Sequence, residues 1–173
     1  MDPPSIAVFA TLASYNAWVN GALWEILEGH PNLCRESGTT YYGSILGLLS
    51  HITLSDITWL RRAGVKVTGR AGPLELEFSS LSDVPFPDIA SWYEHREALD
   101  QLIRRWVSGL RATDLGGEVL YRNSAGREFV QHLWQVLLHM FNHQTHHRGQ
   151  LAQVLDRRQI ENDVSNLVWY LRE

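Results

Sequence analysis

The periodicity of the chain predicts an all-α fold, a four-helix bundle with a small hairpin before its last long helix. Three observations carry this. Four long stretches place apolar residues at three- and four-residue steps, the mark of an amphipathic helix. Connections rich in Gly, Pro and Ser separate them. One short segment differs, with two β-prone pieces around a Ser-Ala-Gly turn. Four amphipathic helices bury their apolar stripes most simply against one another, which makes a bundle.

The first helix is expected from about Ser5 to Glu28, where Leu12, Tyr15, Val19, Leu23, Ile26 and Leu27 recur in helical steps. Gly29-His30-Pro31-Asn32 supplies its stop, because Gly suits the position after a helix and Pro cannot continue one. A second helix runs from about Tyr42 to Ala63, with Thr39 or Thr40 as its cap and Arg61, Arg62 and Gly64 favouring its end. Val65 to Pro87 reads as a long connection, with Leu74 to Phe78 as a candidate extended piece. The third helix spans about Asp88 to Leu110 and carries Trp92, Leu99, Leu102, Ile103 and Trp106 on its apolar side. Val119 to Phe129 reads as the hairpin, a fourth helix as about Phe129 to Arg158, and a short closing helix as about Val164 to Leu171.

At 173 residues, with no repeat and no low-complexity segment, the chain is read as one domain, 1–173. No apolar run reaches the length of a membrane span, and the start lacks the basic and apolar regions of a signal peptide. Cys34 is the single cysteine, so no intramolecular disulfide forms, and a cytoplasmic location is the expectation. A net charge of -4 without a Lys/Arg cluster argues against a nucleic-acid surface. The seven tryptophans are expected to fill a core or an oligomer interface.

The chemistry is concentrated in His143-Gln144-Thr145-His146-His147-Arg148-Gly149-Gln150. On a helix, residues four apart are about 40° apart around the axis and about 6 Å along it, so His143 and His147 can reach one divalent cation. His51, on the second long helix, is a candidate third ligand. His139, one turn before His143, competes for that role, while His146 suits a supporting position. His30, His95 and His132 fit ordinary hydrogen-bonding roles. The histidine arc overlaps the core-facing arc of Val136, Met140, Leu151 and Val154. Buried imidazoles without partners would cost on the order of 1–3 kcal/mol each, and a metal would satisfy them. Small residues beside His51, among them Ser44, Gly47, Ser55 and Thr58, are expected to leave room for a pocket. Three protein ligands leave a position open for water or substrate, the pattern of catalytic metal sites. Neutral imidazole suits Zn, Ni, Cu or Fe, and Mn less well; Zn or Ni is the first expectation.

The chain also resembles the DinB/YfiT-like family of metalloenzymes. The matching residues are Tyr15-Asn16-Ala17-Trp18, Ser50-His51-Ile52 with Asp56 and Trp59-Leu60, Asn142-His143, His147-Arg148-Gly149-Gln150 and the closing Leu167-Val168-Trp169-Tyr170-Leu171. They extend from end to end. The resemblance implies an up-down-down-up four-helix bundle, a homodimer, and one divalent metal held by His51, His143 and His147.

For function, the resemblance points to a metal-dependent enzyme acting on a small molecule, with a thiol S-transferase using a low-molecular-weight thiol as the leading expectation. The alternatives are a metal-dependent hydrolase and a non-catalytic, metal-stabilised stress-response binding module. Cys34 is not needed as nucleophile. Asp56 lies about 140° around the helix from His51, which suits a capping or surface contact better than catalysis. Asn16 and Asn20 could line the cleft, Gln150 could orient a ligand imidazole, and Arg148 reads as structural. A homodimer is expected independently, because Trp134, Leu138 and Phe141 make the fourth helix apolar well beyond one stripe.

Overall fold

The computed structural model describes residues 3–66 and 72–172. Its elements are α1 (Ile6–Leu27), α2 (Pro31–Arg35), α3 (Ile45–Arg62), α4 (Ile89–Gly109), a 3-10 turn (Ala112–Gly116), β1 (Glu118–Arg122), β2 (Glu128–His132), α5 (Leu133–Arg157) and α6 (Leu167–Tyr170). Four long helices, α1, α3, α4 and α5, pack together, and the hairpin precedes α5 as expected.

Their directions follow from which ends share a core. One apolar cluster joins Phe9 and Ala13 of α1 to Ile57 and Leu60 of α3, Ile103 and Val107 of α4, and Leu133 and Leu137 of α5. The other joins Leu23 and Leu27 of α1 to Ile45 and Leu48 of α3, Ile89 and Trp92 of α4, and Leu151 and Leu155 of α5. The start of α1 thus meets the ends of α3 and α4 and the start of α5. That is an up-down-down-up bundle.

Between the two clusters lies a buried polar layer. Arg96 donates to Asp56 at 2.7 Å and to Asp100 at 2.5 Å, with its side chain fully buried. Gln144 donates to Asp56 at 2.7 Å, Asn16 and Asn20 donate to Asp100 at 3.1 and 2.8 Å, and Arg148 donates to Asn16 at 2.6 Å. Two carboxylates and two guanidiniums from α3, α4 and α5 balance in charge, with α1 adding the two amides, which is what makes buried ions tolerable. Burial raises the Asp56 carboxyl to about 6, against the opposing pull of Arg96. Burial also works against the charge on Arg96, but Asp100 and Asp56 outweigh it and hold the guanidinium charged. The expected capping or surface role for Asp56 is therefore wrong. Every residue of α3 from Ile45 to Ile57 is buried, so no side of its first turns faces water.

Several boundaries differ from expectation for identifiable reasons. Helix α3 starts at Ile45, and its cap is Ser44, whose Oγ accepts from Gly47 N at 3.0 Å; Thr40 instead donates to the Ser44 carbonyl at 2.8 Å. The Pro31 that ends the first helix opens α2, since Pro is pre-organised for a first helical position. Residues 128–132 join the hairpin rather than the last long helix: Glu128 to His132 pair with Arg122 to Glu118, and His132 N donates to Gln135 Oε1 at 3.0 Å at the start of α5. Leu74 to Phe78 is irregular rather than a strand. Arg61 donates to the Leu74 and Leu76 carbonyls and ties that segment to the end of α3.

The side chains behind the dimer expectation are largely covered within the chain. Trp134 and Phe141 are buried in the first apolar cluster. Leu138 stays exposed. The hairpin and the 3-10 turn pack on α5 from a side that a bare bundle would leave open.

Candidate metal centre

Antiparallel packing of α3 on α5 brings His51 level with His143 and His147, which lie one turn apart on α5. His143 Nε2 is 3.0 Å from His147 Nε2 and 3.3 Å from His51 Nε2. One ligand atom from each residue lies within 4.8 Å of the others. His51 and His147 are buried and His143 is half-buried.

The outer ring nitrogens decide what the inner ones offer. His51 Nδ1 is 3.0 Å from the Leu81 carbonyl oxygen, which can only accept, so Nδ1 carries the proton and Nε2 a bare lone pair. His147 Nδ1 is 2.9 Å from Gln150 Oε1, while the other end of that amide lies 3.2 Å from His146 Nε2, so His147 also presents Nε2 unprotonated. Gln150 thus orients a candidate ligand, as its place on the helix suggested, and His146 supports Gln150 from the surface. Two lone pairs therefore converge on the His143 ring. A proton on His143 Nε2 could serve one of them, but that would leave its Nδ1 bare, and Nδ1 is buried without a partner.

Protonating the cluster is disfavoured. Burial, then the neighbouring His147 and His51, push His143 down to about 3. Burial lowers His51 against the Leu81 hydrogen bond, and lowers His147 against the Gln150 one. A cation of another kind fits better. Ligand nitrogens about 2.0–2.1 Å from one tetrahedral ion stand about 3.3 Å apart, close to the two spacings measured from His143 Nε2. The donor set and its supporting hydrogen bonds are those of a metal site that keeps its imidazoles neutral.

His139 falls outside the cluster: its ring lies 5.6 Å from that of His143 and packs edge-on against Trp59 at 5.0 Å, on the exposed side of α5. His132 bonds the Gly116 carbonyl through Nδ1 at 3.0 Å, the ordinary role expected. Asn16 and Asn20 belong to the buried polar layer, not to a cleft. Arg148 is structural, donating to Asn16 within that layer.

Sequence reasoning missed Tyr42. Its hydroxyl is 2.9 Å from His51 Nε2, and its ring stacks on the His51 imidazole at 4.0 Å and 17°. Burial pushes its hydroxyl up, so it stays a neutral phenol. It precedes α3 in a loop, where helical spacing gives no signal. The small residues beside His51 do not open a pocket: Ser44 caps, Thr58 bonds back to Leu54 O at 2.8 Å, and a Cβ on Gly47 would fall 2.1 Å from the Tyr42 carbonyl oxygen. Cys34 lies apart, buried in α2, with burial raising its thiol to about 11.

Together these features define a helical bundle with a buried three-histidine cluster able to take a metal. The chain belongs to the DinB family, whose model matches residues 5–159. A relative described as Protein DinB, from Bacillus subtilis (strain 168), is 25% identical over 147 residues, covering 83% of this chain and 82% of that protein. No solved structure gives a significant match. No helix among the described residues is long and apolar enough to cross a membrane.

Proposed function

We propose that His51, His143 and His147 bind one divalent cation, Zn or Ni by preference, and that the protein uses it to act on a small molecule, most simply as a thiol S-transferase. The observation that carries the metal reading is the convergence of imidazole nitrogens whose lone pairs are fixed inward by Leu81 O and Gln150 Oε1. A cation held there supplies Lewis acidity, lowering the pKa of a thiol or water brought to it. Three neutral ligands leave its charge uncompensated, which favours an anionic partner such as a thiolate. The buried polar layer holds α3 and α5 in register, so the ligand side chains need little reorganisation.

The hydrolase alternative is weaker on one specific point. Its chemistry calls for a general base, and the nearby Asp56 is held by Arg96 and Gln144 in the bundle interior. The thiol reading is tested by adding a low-molecular-weight thiol and an electrophilic acceptor to metal-loaded protein, with His143→Ala as control. Conjugation that depends on His143 supports it; an equal rate in the variant removes it. If metal binds and no substrate panel turns over, the protein is a binding module.

A homodimer belongs to the same proposal. Its candidate contact is the apolar groove along Trp134, Leu138, His139 and Asn142. Light scattering at micromolar concentration decides it, and a mass near the 19.8 kDa of one chain contradicts it.

A further inference from the structure

Tyr42 is placed with more constraint than an ordinary loop residue. Its amide donates to Thr40 Oγ1 at 3.1 Å, and Thr40 in turn donates to the Ser44 carbonyl that opens α3. Gly43 follows it at φ 86, a left-handed conformation that suits Gly. The Tyr42 carbonyl oxygen sits where a Cβ at position 47 would be, so the loop can close on α3 only because residue 47 is Gly. These contacts press the phenol ring flat against His51 and edge-on to His147 at 5.6 Å.

The hydroxyl is the consequence. Its partner among the described residues is His51 Nε2 at 2.9 Å, the nitrogen whose lone pair faces the cluster. The two rings stack nearly parallel, which holds the hydroxyl beside Nε2. A cation on Nε2 would take the one acceptor that the described residues give the hydroxyl and leave a donor beside the site. A polar group in a half-buried position strongly prefers a new partner. The three histidines offer none, since their inner nitrogens would all be engaged.

We infer that Tyr42 is a positioning residue for this centre: its hydroxyl donates a hydrogen bond to the anionic atom of the small molecule that docks against the three histidines. The inference rests on the metal-binding reading above. It identifies the ligand class as one presenting a hydrogen-bond-accepting anion, and it gives the chain a device for orienting that anion which neither the helical spacing nor the histidines supply.

Copper(II) and azide test it in the full chain. Copper content, azide-to-copper charge-transfer absorption and circular dichroism are measured for the natural protein, Tyr42→Phe and His143→Ala. The expected result is equal copper in the natural protein and Tyr42→Phe, with azide binding about tenfold weaker in Tyr42→Phe, the loss of roughly one hydrogen bond to an anion. Equal azide affinity in the two overturns the inference. A phenolate-to-copper band that vanishes in Tyr42→Phe, or copper lost from that variant, overturns it in favour of Tyr42 as a metal ligand. Copper uptake no greater in the natural protein than in His143→Ala is a separate failure, that of the three-histidine reading itself, and the inference falls with it.

Discussion

Replacing Arg96 with Met is the sharpest test of how the bundle is held around its site. Arg96 is fully buried and serves two carboxylates, Asp56 at 2.7 Å and Asp100 at 2.5 Å. Met fills similar space without a donor. Asp100 would keep Asn16 and Asn20, but Asp56 would keep only Gln144. Removing one partner of a buried ion pair costs about 3–5 kcal/mol, because the charge left behind stays desolvated. At about 2–4 °C per kcal/mol for a chain of this size, the melting temperature should fall by roughly 6–20 °C. The loss should shrink in acid. Burial already raises Asp56 to about 6 with Arg96 beside it, and without that cation it rises further. A carboxyl whose folded pKa exceeds its unfolded one contributes most stability below the unfolded value and loses it as pH rises through the folded one. Arg96→Met should therefore be closest to the natural protein near pH 5 and furthest from it near pH 8. Thermal melts by circular dichroism across that range measure it, with Arg122→Met as reference, since the Arg122–Glu128 pair is exposed and worth at most about 1 kcal/mol. Equal losses in the two variants, or a pH-independent loss, would refute the reasoning.

Other expectations follow from the histidines and the cysteine. Burial lowers all three cluster histidines, so the metal-free protein has its full histidine contribution above the unfolded pKa of about 6.5 and loses it as pH falls below that value. The decline in melting temperature from pH 7.5 to 5 should be shallower in His143→Gln; an unchanged slope argues against neutral, buried imidazoles. Adding Zn or Ni at about 100 times its Kd should stabilise the fold by about 2.7 kcal/mol, reversed by a chelator and absent in His147→Ala. Gln150→Ala should keep the fold and weaken metal binding by about tenfold, since it releases His147 Nδ1; unchanged affinity in a metal titration would show that the bond does not orient the ligand. Cys34 should react with a thiol reagent only on unfolding, because it is buried with its thiol raised to about 11; rapid native labelling would contradict this.

Much of the fold and the heart of the site were legible in the sequence. Helical periodicity located all four long helices and the turn of the hairpin, because each long helix turns an apolar stripe toward a shared core. His143 and His147 were found by their spacing. His51 needed a partner on another helix, which spacing cannot pair but the family resemblance could. The buried charges were not legible. Asp56 was judged by its angle from His51, and that logic fails on a helix buried all round, where the far side meets Arg96 instead of water. The start of α5 was misplaced because Phe129 and Val130 suit a strand as well as a helix, and pairing with β1 decides between them. Tyr42 escaped because a loop residue reaches the site through a glycine contact and a left-handed turn, which leave no periodic trace.

Metal content per chain tests the central claim most directly. The natural protein and the His51→Ala, His143→Ala and His147→Ala variants would be purified alongside His139→Ala, loaded with Zn or Ni, desalted and analysed by elemental mass spectrometry. The account predicts close to one ion per chain in the natural protein and in His139→Ala, and loss of that ion in each of the other three. Equal occupancy in all five proteins, or loss in His139→Ala alone, would contradict it.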